Sequence, residues 1–377
     1  MKKLAIIITH PIQYYSPLFK LLSERKKIRI KVFYTWEQSK KKVFDKKFGK
    51  EIKWDIPLLD GYDYTFVKNI SKNPNSGTFN GVINPDLNKE IKDWNADAIL
   101  VFGWNHHSHF KAMRYFKGKI PVYFRGDSTL IDILPKFRKF ARNLTLSFIY
   151  KFVDFAFYVG TNNKAYYKKF GLKENQLIFA PHAVDNDRFS DTIGEYSEKA
   201  VLWRTKLGFS NNDIVFLFVG KFEKKKNPLL LTEVAKYFLQ YKFLFVGNGK
   251  LESEMKKKAG KNVIFIPFQN QSLMPVVYRL GDVYVLPSQG PDETWGLAVN
   301  EAMACGNAVL VSDKVGCAID LVKNNENGFI FNSKNIDDLK EKISDIVKKT
   351  AAFKKNSQQK IKLHNFNVLA KTIESFD

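Results

Sequence analysis

The sequence predicts an α/β protein made of two doubly wound parallel-sheet domains, and three observations carry that expectation. Short apolar runs rich in β-branched and aromatic residues lie at 4–8, 28–34, 98–102, 122–124 and 155–159, then at 214–219, 243–246, 263–266, 283–286 and 308–311, with helix-sized stretches between them. Runs that stay apolar without alternation suit strands covered on both faces, as in a parallel sheet flanked by helices. The chain has 377 residues and is 45% hydrophobic, which is long for one core and ample for two. Several of the runs also end in glycine and charged residues, the composition expected where open α/β sheets bind ligands.

Taken in order, the first run ends in His10, Pro11, Ile12, Gln13, Tyr14 and Tyr15, which places polar groups at a strand's carboxyl end. After the run at 98–102 come Trp104, Asn105, His106, His107, Ser108 and His109, holding three of the six histidines in one loop. Imidazoles suit zinc, but this loop has no carboxylate and the only two cysteines are far away, so no metal is expected. Arg125, Gly126, Asp127 and Ser128 follow the next strand; Arg125 and Asp127 either pair as a structural turn or contact a sugar or phosphate. Residues 134–152 mix Lys136, Arg138, Lys139, Arg142 and Lys151 with Phe137, Phe140, Leu144, Leu146, Phe148 and Ile149. That pattern reads as a basic amphipathic helix, suited both to packing on the sheet and to an anionic bilayer. A proline-bearing turn at 180–185 divides the chain into domains at 1–183 and 184–356, followed by a helix-like tail at 357–377.

In the second domain the strand at 214–219 runs into Gly220, Lys221, Phe222, Glu223, Lys224, Lys225 and Lys226. Gly247, Asn248 and Gly249 end the next strand, and Pro267 and Phe268 end the one after. The stretch 293–306, ETWGLAVNEAMACG, is the most informative in the chain. It sets Glu293 and Glu301 eight residues apart around Gly296, where a helix opens at Leu297. Glycine permits close backbone approach, and the first turn of a helix offers unpaired amides and a positive dipole end to an anion. A diphosphate fits there, with the two carboxylates bracketing it and accepting from sugar hydroxyls. A surface glutamate pair on an ordinary core helix is the plain alternative.

The run 283–322 resembles the donor-site signature of the retaining GT-B glycosyltransferases of family 4, with their paired glutamates. It departs from the usual pattern at Ala308, where proline is common, and at Cys317, often glycine. The resemblance implies two Rossmann-like domains facing across a cleft, an acceptor-binding first domain, a donor-binding second domain and a C-terminal helix that crosses back to the first. It implies that Lys221, in a place usually held by arginine, and Lys226 contact a donor diphosphate. Lysine keeps the charge but loses the bidentate fork. Further implications are Glu301 on the ribose, Glu293 on the transferred sugar, Phe268 and Gly247 beside the nucleotide, and His106 and His10 on substrate hydroxyls. Lys226, Glu293 and His106 are thus the candidate catalytic residues. The donor would be a UDP- or GDP-linked sugar, the acceptor a glycan or lipid-linked glycan, and no metal or other cofactor is implied.

With 61 basic and 38 acidic residues, a net charge of +23, the chain favours a polyanionic partner such as an anionic membrane surface, nucleic acid or phosphorylated substrates, and charge alone does not choose among them; with the resemblance, no nucleic-acid partner is expected. Cys305 and Cys317 are too few for a disulfide framework, which fits a reducing compartment. The run 4–8 is too short for a cleavable signal and nothing reaches the ~18 apolar residues of a membrane span. The expectation is a cytoplasmic enzyme, peripheral at most. Two rivals remain at this level: a nucleotide-sugar epimerase of the same shape and a non-enzymatic polyanion-binding protein, whose binding would fall steeply with salt.

Overall fold

The computed structural model describes residues 1–37, 43–45, 50–52, 54–132 and 135–375. Leu134, the first residue of the basic amphipathic stretch, lies outside them, as do the side chains of Lys136 and Lys139 and the last two residues. The strands in chain order are Lys3–Ile8 (β1), Arg29–Tyr34 (β2), Val43–Asp45 (β3), Lys50–Ile52 (β4), Tyr64–Phe66 (β5), Ala98–Phe102 (β6), Val122–Arg125 (β7), Phe155–Tyr158 (β8) and Leu177–Phe179 (β9). They continue as Val215–Val219 (β10), Lys242–Val246 (β11), Val263–Ile266 (β12), Val283–Leu286 (β13), Ala308–Ser312 (β14) and Gly328–Phe331 (β15).

Two compact units result. One comprises Met1–Val43, Ile56–Pro181 and the chain from Phe366 onward; the other comprises Phe44–Asp55 and His182–Asn365. The first contains a seven-stranded sheet in the order β5-β2-β1-β6-β7-β8-β9, the second a six-stranded sheet in the order β12-β11-β10-β13-β14-β15. Pairing between neighbours is parallel, as the unalternating apolar runs require: all five residues of β6 and the first four of β10 are buried. A separate pair, β3 with β4, precedes the chain's return to the first unit.

In both sheets the strand order reverses direction once, between β1 and β6 and between β10 and β13. Helices leave to opposite faces at such a point, so the carboxyl ends of its two strands open a crevice, the usual ligand position in open α/β sheets. Four of the loops singled out in the sequence lie at these reversals: those after β1, β6, β10 and β13.

The helix Phe366–Glu374 belongs to the first unit, burying Phe366, Leu369, Ala370 and Ile373. Arg25 clamps its end with a two-pronged contact, Nε to Glu374 Oε1 at 2.6 Å and Nη2 to Oε2 at 2.9 Å. Planar bidentate geometry makes this one of the stronger ion pairs of the chain.

Candidate functional site

At the second reversal, β10 ends at Val219 and turns through Gly220 into the loop carrying Lys221 and Lys226, while β13 ends at Leu286 before Ser288 and Glu293. The two loops are laced together. Gln289 donates from its backbone to Lys225 O at 2.9 Å and from Nε2 to Lys224 O at 2.7 Å. At the centre Lys226 Nζ lies 2.6 Å from Glu293 Oε2, and Ser288 Oγ donates to the same oxygen at 2.9 Å. The Glu293 side chain is 6% exposed and that of Lys226 18%. Burial alone would raise the Glu293 pKa, but Lys226, Lys225 and the Ser288 hydroxyl outweigh it and hold the carboxyl below its ordinary range. The sequence placed Lys226 on a phosphate and Glu293 on a sugar; the structure adds that the two side chains bind one another, because their strands are neighbours.

Gly296 follows with φ 101°, a left-handed conformation that glycine adopts without strain, and the helix Leu297–Ala304 starts directly after it. A Cβ at Gly296 would stand 3.0 Å from Val315 Cγ1 and 3.2 Å from Leu286 Cδ2, so glycine also lets the turn sit close against its neighbours. Among the described residues no side chain caps this helix at its first turn, where Leu297 and Ala298 present their amides. The helix is fixed from its buried side. Trp295 Nε1 donates to Asn300 Oδ1 at 2.8 Å, and Asn300 Nδ2 donates to His182 O at 3.1 Å. Glu301 is 3% exposed, and Oε2 accepts from the Tyr278 hydroxyl at 2.6 Å. The two glutamates therefore have different settings, one against an ammonium and one against a phenol.

The loop after β11 closes a third side. A Cβ on Gly247 would come within 2.0 Å of Gly220 O, and one on Gly249 within 2.5 Å of Phe222 O. Backbone meets backbone here, which only glycine allows. Asn248 ties the edge together: its carbonyl accepts from Phe222 N at 3.0 Å and its Oδ1 from Phe268 N at 2.9 Å. The Phe268 amide is thus engaged by the protein itself, and its ring lies 6.5 Å from that of Trp54.

At the reversal in the first unit, His10 follows β1 and His106 follows β6. His10 Nδ1 is 3.0 Å from Thr9 Oγ1, and its ring meets Trp36 edge-on at 5.6 Å. Burial, with the neighbouring His106, pushes the His10 pKa down to about 4; burial lowers His106 as well, against a hydrogen bond to the Thr78 backbone carbonyl. His109 is a core residue instead, set between Thr35 Oγ1 at 2.9 Å and the carbonyls of Phe102 and Gly103 at 3.0 Å, and burial takes it to about 3. Unfolded imidazoles protonate near 6.5, so the sign is fixed: stability from these groups is complete above pH 6.5 and is lost as pH falls toward 4. The melting temperature should drop between about pH 7 and 4.5, with a shallower drop in His109→Gln; a flat profile would show that these rings are not held neutral.

Arg125 corrects an expectation. It is 2% exposed, and its guanidinium donates to Ala180 O at 2.8 Å and Pro181 O at 3.1 Å, within the unit that ends there. It anchors the chain where it leaves the first unit, rather than offering itself to a sugar or phosphate. Among the described residues no cluster of histidine, cysteine and carboxylate has metal-binding geometry.

The sequence reading gave no role to Ser288, Tyr278 or Asn300, and it noted Asn248 only as part of a glycine turn. Each is an ordinary polar residue in an apolar or turn segment, and apart from Ser288 each has a partner on another element. Only the SxxxxE spacing of Ser288 and Glu293 within one loop was available as a signal.

Residues 201–362 match the family model described as glycosyl transferases group 1. Over 176 residues the chain is 31% identical to the UDP-Gal:alpha-D-GlcNAc-diphosphoundecaprenol alpha-1,3-galactosyltransferase of Escherichia coli, covering 43% of each protein. Over 254 residues it is 25% identical to the N,N'-diacetylbacillosaminyl-diphospho-undecaprenol alpha-1,3-N-acetylgalactosaminyltransferase of Campylobacter jejuni, covering 62% of each. These matches span less than two thirds of either relative. Among solved structures, sucrose-phosphate synthase of Thermosynechococcus elongatus superposes with a TM-score of 0.73 at 18% identity, covering 99% of this chain and 97% of that one, a likeness of fold.

Proposed function

We propose, from the premise that this chain has the GT-B fold and carries a glycosyl transferases group 1 domain, that it transfers a sugar from a nucleotide-diphosphate donor to a glycan or lipid-linked acceptor with retention. The observation that carries the reading is the meeting of Lys226 and Glu293 at 2.6 Å beside the uncapped helix that opens at Gly296. A cation, a carboxylate and free helix amides are brought together at the reversal of a parallel sheet, and that set suits a sugar diphosphate better than either end alone.

In this reading departure of the nucleoside diphosphate is the step that develops charge. Lys226, Lys221 and the amides of Leu297 and Ala298 stabilise it, in the role that a metal plays elsewhere, so that no metal is required. Glu301, steadied by Tyr278, takes the ribose hydroxyls, with Gly247 and Phe268 beside the nucleotide. Glu293 exchanges Lys226 for a hydroxyl of the transferred sugar. His10 and His106, neutral at physiological pH, accept from or donate to substrate hydroxyls without adding charge. The donor phosphate itself takes the acceptor proton on the face the nucleotide leaves. Both curated relatives are named for acceptors on diphosphoundecaprenol, which supports a lipid-linked acceptor and action at the cytoplasmic face of the membrane.

A panel of UDP- and GDP-sugars tests the reading. The matching donor at a hundred times its dissociation constant should stabilise the fold by about 2.7 kcal/mol, and Glu301→Ala should abolish that shift. Nucleotide should then be released only when a diphosphoundecaprenol-linked sugar is added. Sugar interconversion without nucleotide release would establish an epimerase instead, and no stabilisation by any donor would end the proposal.

A further inference from the structure

The helix Lys136–Ile149 turns its apolar side away from the protein. Phe137 is 82% exposed, Phe140 63%, Leu144 60% and Phe148 50%. Helical periodicity sets these four, with Ala141, on one face, while Leu146 and Ile149 face the core on the other. The stripe extends sideways: the Phe148 ring lies 6.4 Å from Phe110, and Phe110 lies 6.5 Å from Phe79, itself 41% exposed. A contiguous patch of exposed aromatic rings on a soluble surface marks an interaction site. Charge surrounds it. Between 135 and 153 the sequence has the cations Lys136, Arg138, Lys139, Arg142 and Lys151 and no acidic residue, although Arg142 turns inward over the Tyr166 and Phe170 rings. Arg114 adds another, its guanidinium 5.8 Å from the centres of both the Phe110 and Phe152 rings.

We infer that this face docks on an anionic lipid bilayer, with the Phe/Leu stripe in the headgroup–acyl boundary and the cations other than Arg142 at the phosphates. The fourteen-residue helix is about 21 Å long, too short to span and of the right kind to lie in the interface plane. Charge decides against the other occupants. A second copy of the chain would bring two cationic rims together, and nucleic acid would want the cations at the centre, where the phenylalanines stand. The inference rests on these residues alone and stands or falls separately from the sugar-transfer reading.

The test is flotation of the full chain with vesicles of phosphatidylcholine, alone or with about a third phosphatidylglycerol. The chain should partition at least about tenfold better onto the anionic vesicles, and lose most of that near 1 M salt, where screening shortens to about 3 Å. Phe140→Ser/Leu144→Ser should lower binding about tenfold or more, and Arg138→Glu should lower it only on anionic vesicles. Unaltered near-UV circular dichroism and melting of the variants keep folding out of the comparison. Equal binding to both vesicle types, no binding to either, or a double variant that floats like the wild type would overturn the inference. So would a wild-type dimer in sedimentation that the double variant converts to monomer, since the stripe would then be a contact between copies.

Discussion

Replacing Lys226 with alanine should lower turnover by about two to three orders of magnitude, the size of effect seen when one preorganised donor to a developing anion is removed. It should also change how stability depends on pH. In the wild type the folded pKa of Glu293 lies below its ordinary 4.5, so the stabilisation is complete above 4.5 and is lost as pH falls through the folded value. Without Lys226 burial dominates. The carboxylate is then charged, enclosed and short of its main partner, at a cost of about 3 kcal/mol near neutral pH. Its folded pKa rises above the unfolded one, and protonation relieves the cost on acidification. Unfolding free energies of variant and wild type at about pH 7 and pH 5 measure this directly. The histidines affect both proteins alike, so the variant's deficit should shrink at the lower pH. A deficit that stays constant would mean that Lys226 does not govern the charge of Glu293.

Glu293→Gln should separate binding from turnover. The carboxylate holds the Lys226 ammonium at 2.6 Å, so a diphosphate bound as proposed would compete with it for the same cation. Glutamine keeps the size and a hydrogen bond from Ser288 but gives up the charge. Free UDP or GDP should bind about tenfold more tightly, the worth of one charge-assisted contact no longer contested. Turnover should fall about a hundredfold or more, because the group proposed to take the transferred sugar is gone and the product would leave slowly. Isothermal titration with the free nucleotides and a steady-state assay give the two numbers. Weaker nucleotide binding in this variant would refute the competition between Glu293 and phosphate. The opposite signs for nucleotide affinity in Lys226→Ala and Glu293→Gln make the pair more informative than either alone.

How far the sequence could be read follows from which interactions are local. The central strands were legible because burial on both faces leaves no polar positions, as in the five buried residues of β6. The edge strands β5 and β9 were not, since a strand with one neighbour stays half in solvent; Tyr64 is 39% exposed and Phe179 42%. β15 escaped although three of its four residues are buried, because it is short and opens on a glycine whose Cβ would stand 1.9 Å from Val309 O. In the site, Gly220, Gly247 and Gly296 were visible as glycines after strands, where backbone geometry speaks through a single residue. The Lys226–Glu293 pair was not, because its members lie 67 residues apart and only the adjacency of β10 and β13 joins them. Arg125, open in the sequence between a turn pair with Asp127 and a ligand contact, shows the same limit: the carbonyls of Ala180 and Pro181 that claim it are on another segment.

The helix Phe366–Glu374 gives the polypeptide an unusual order of assembly. Everything from His182 to Asn365 is available to its own unit before that last helix leaves the ribosome, whereas the unit begun first waits for it. Until Glu374 reaches Arg25, the nascent amino-terminal half keeps open the surface that Phe366, Leu369 and Ile373 will cover. The first unit is thus closed by a segment that lies beyond the second unit in the chain, so its packing is complete only after the polypeptide of the second unit has been made.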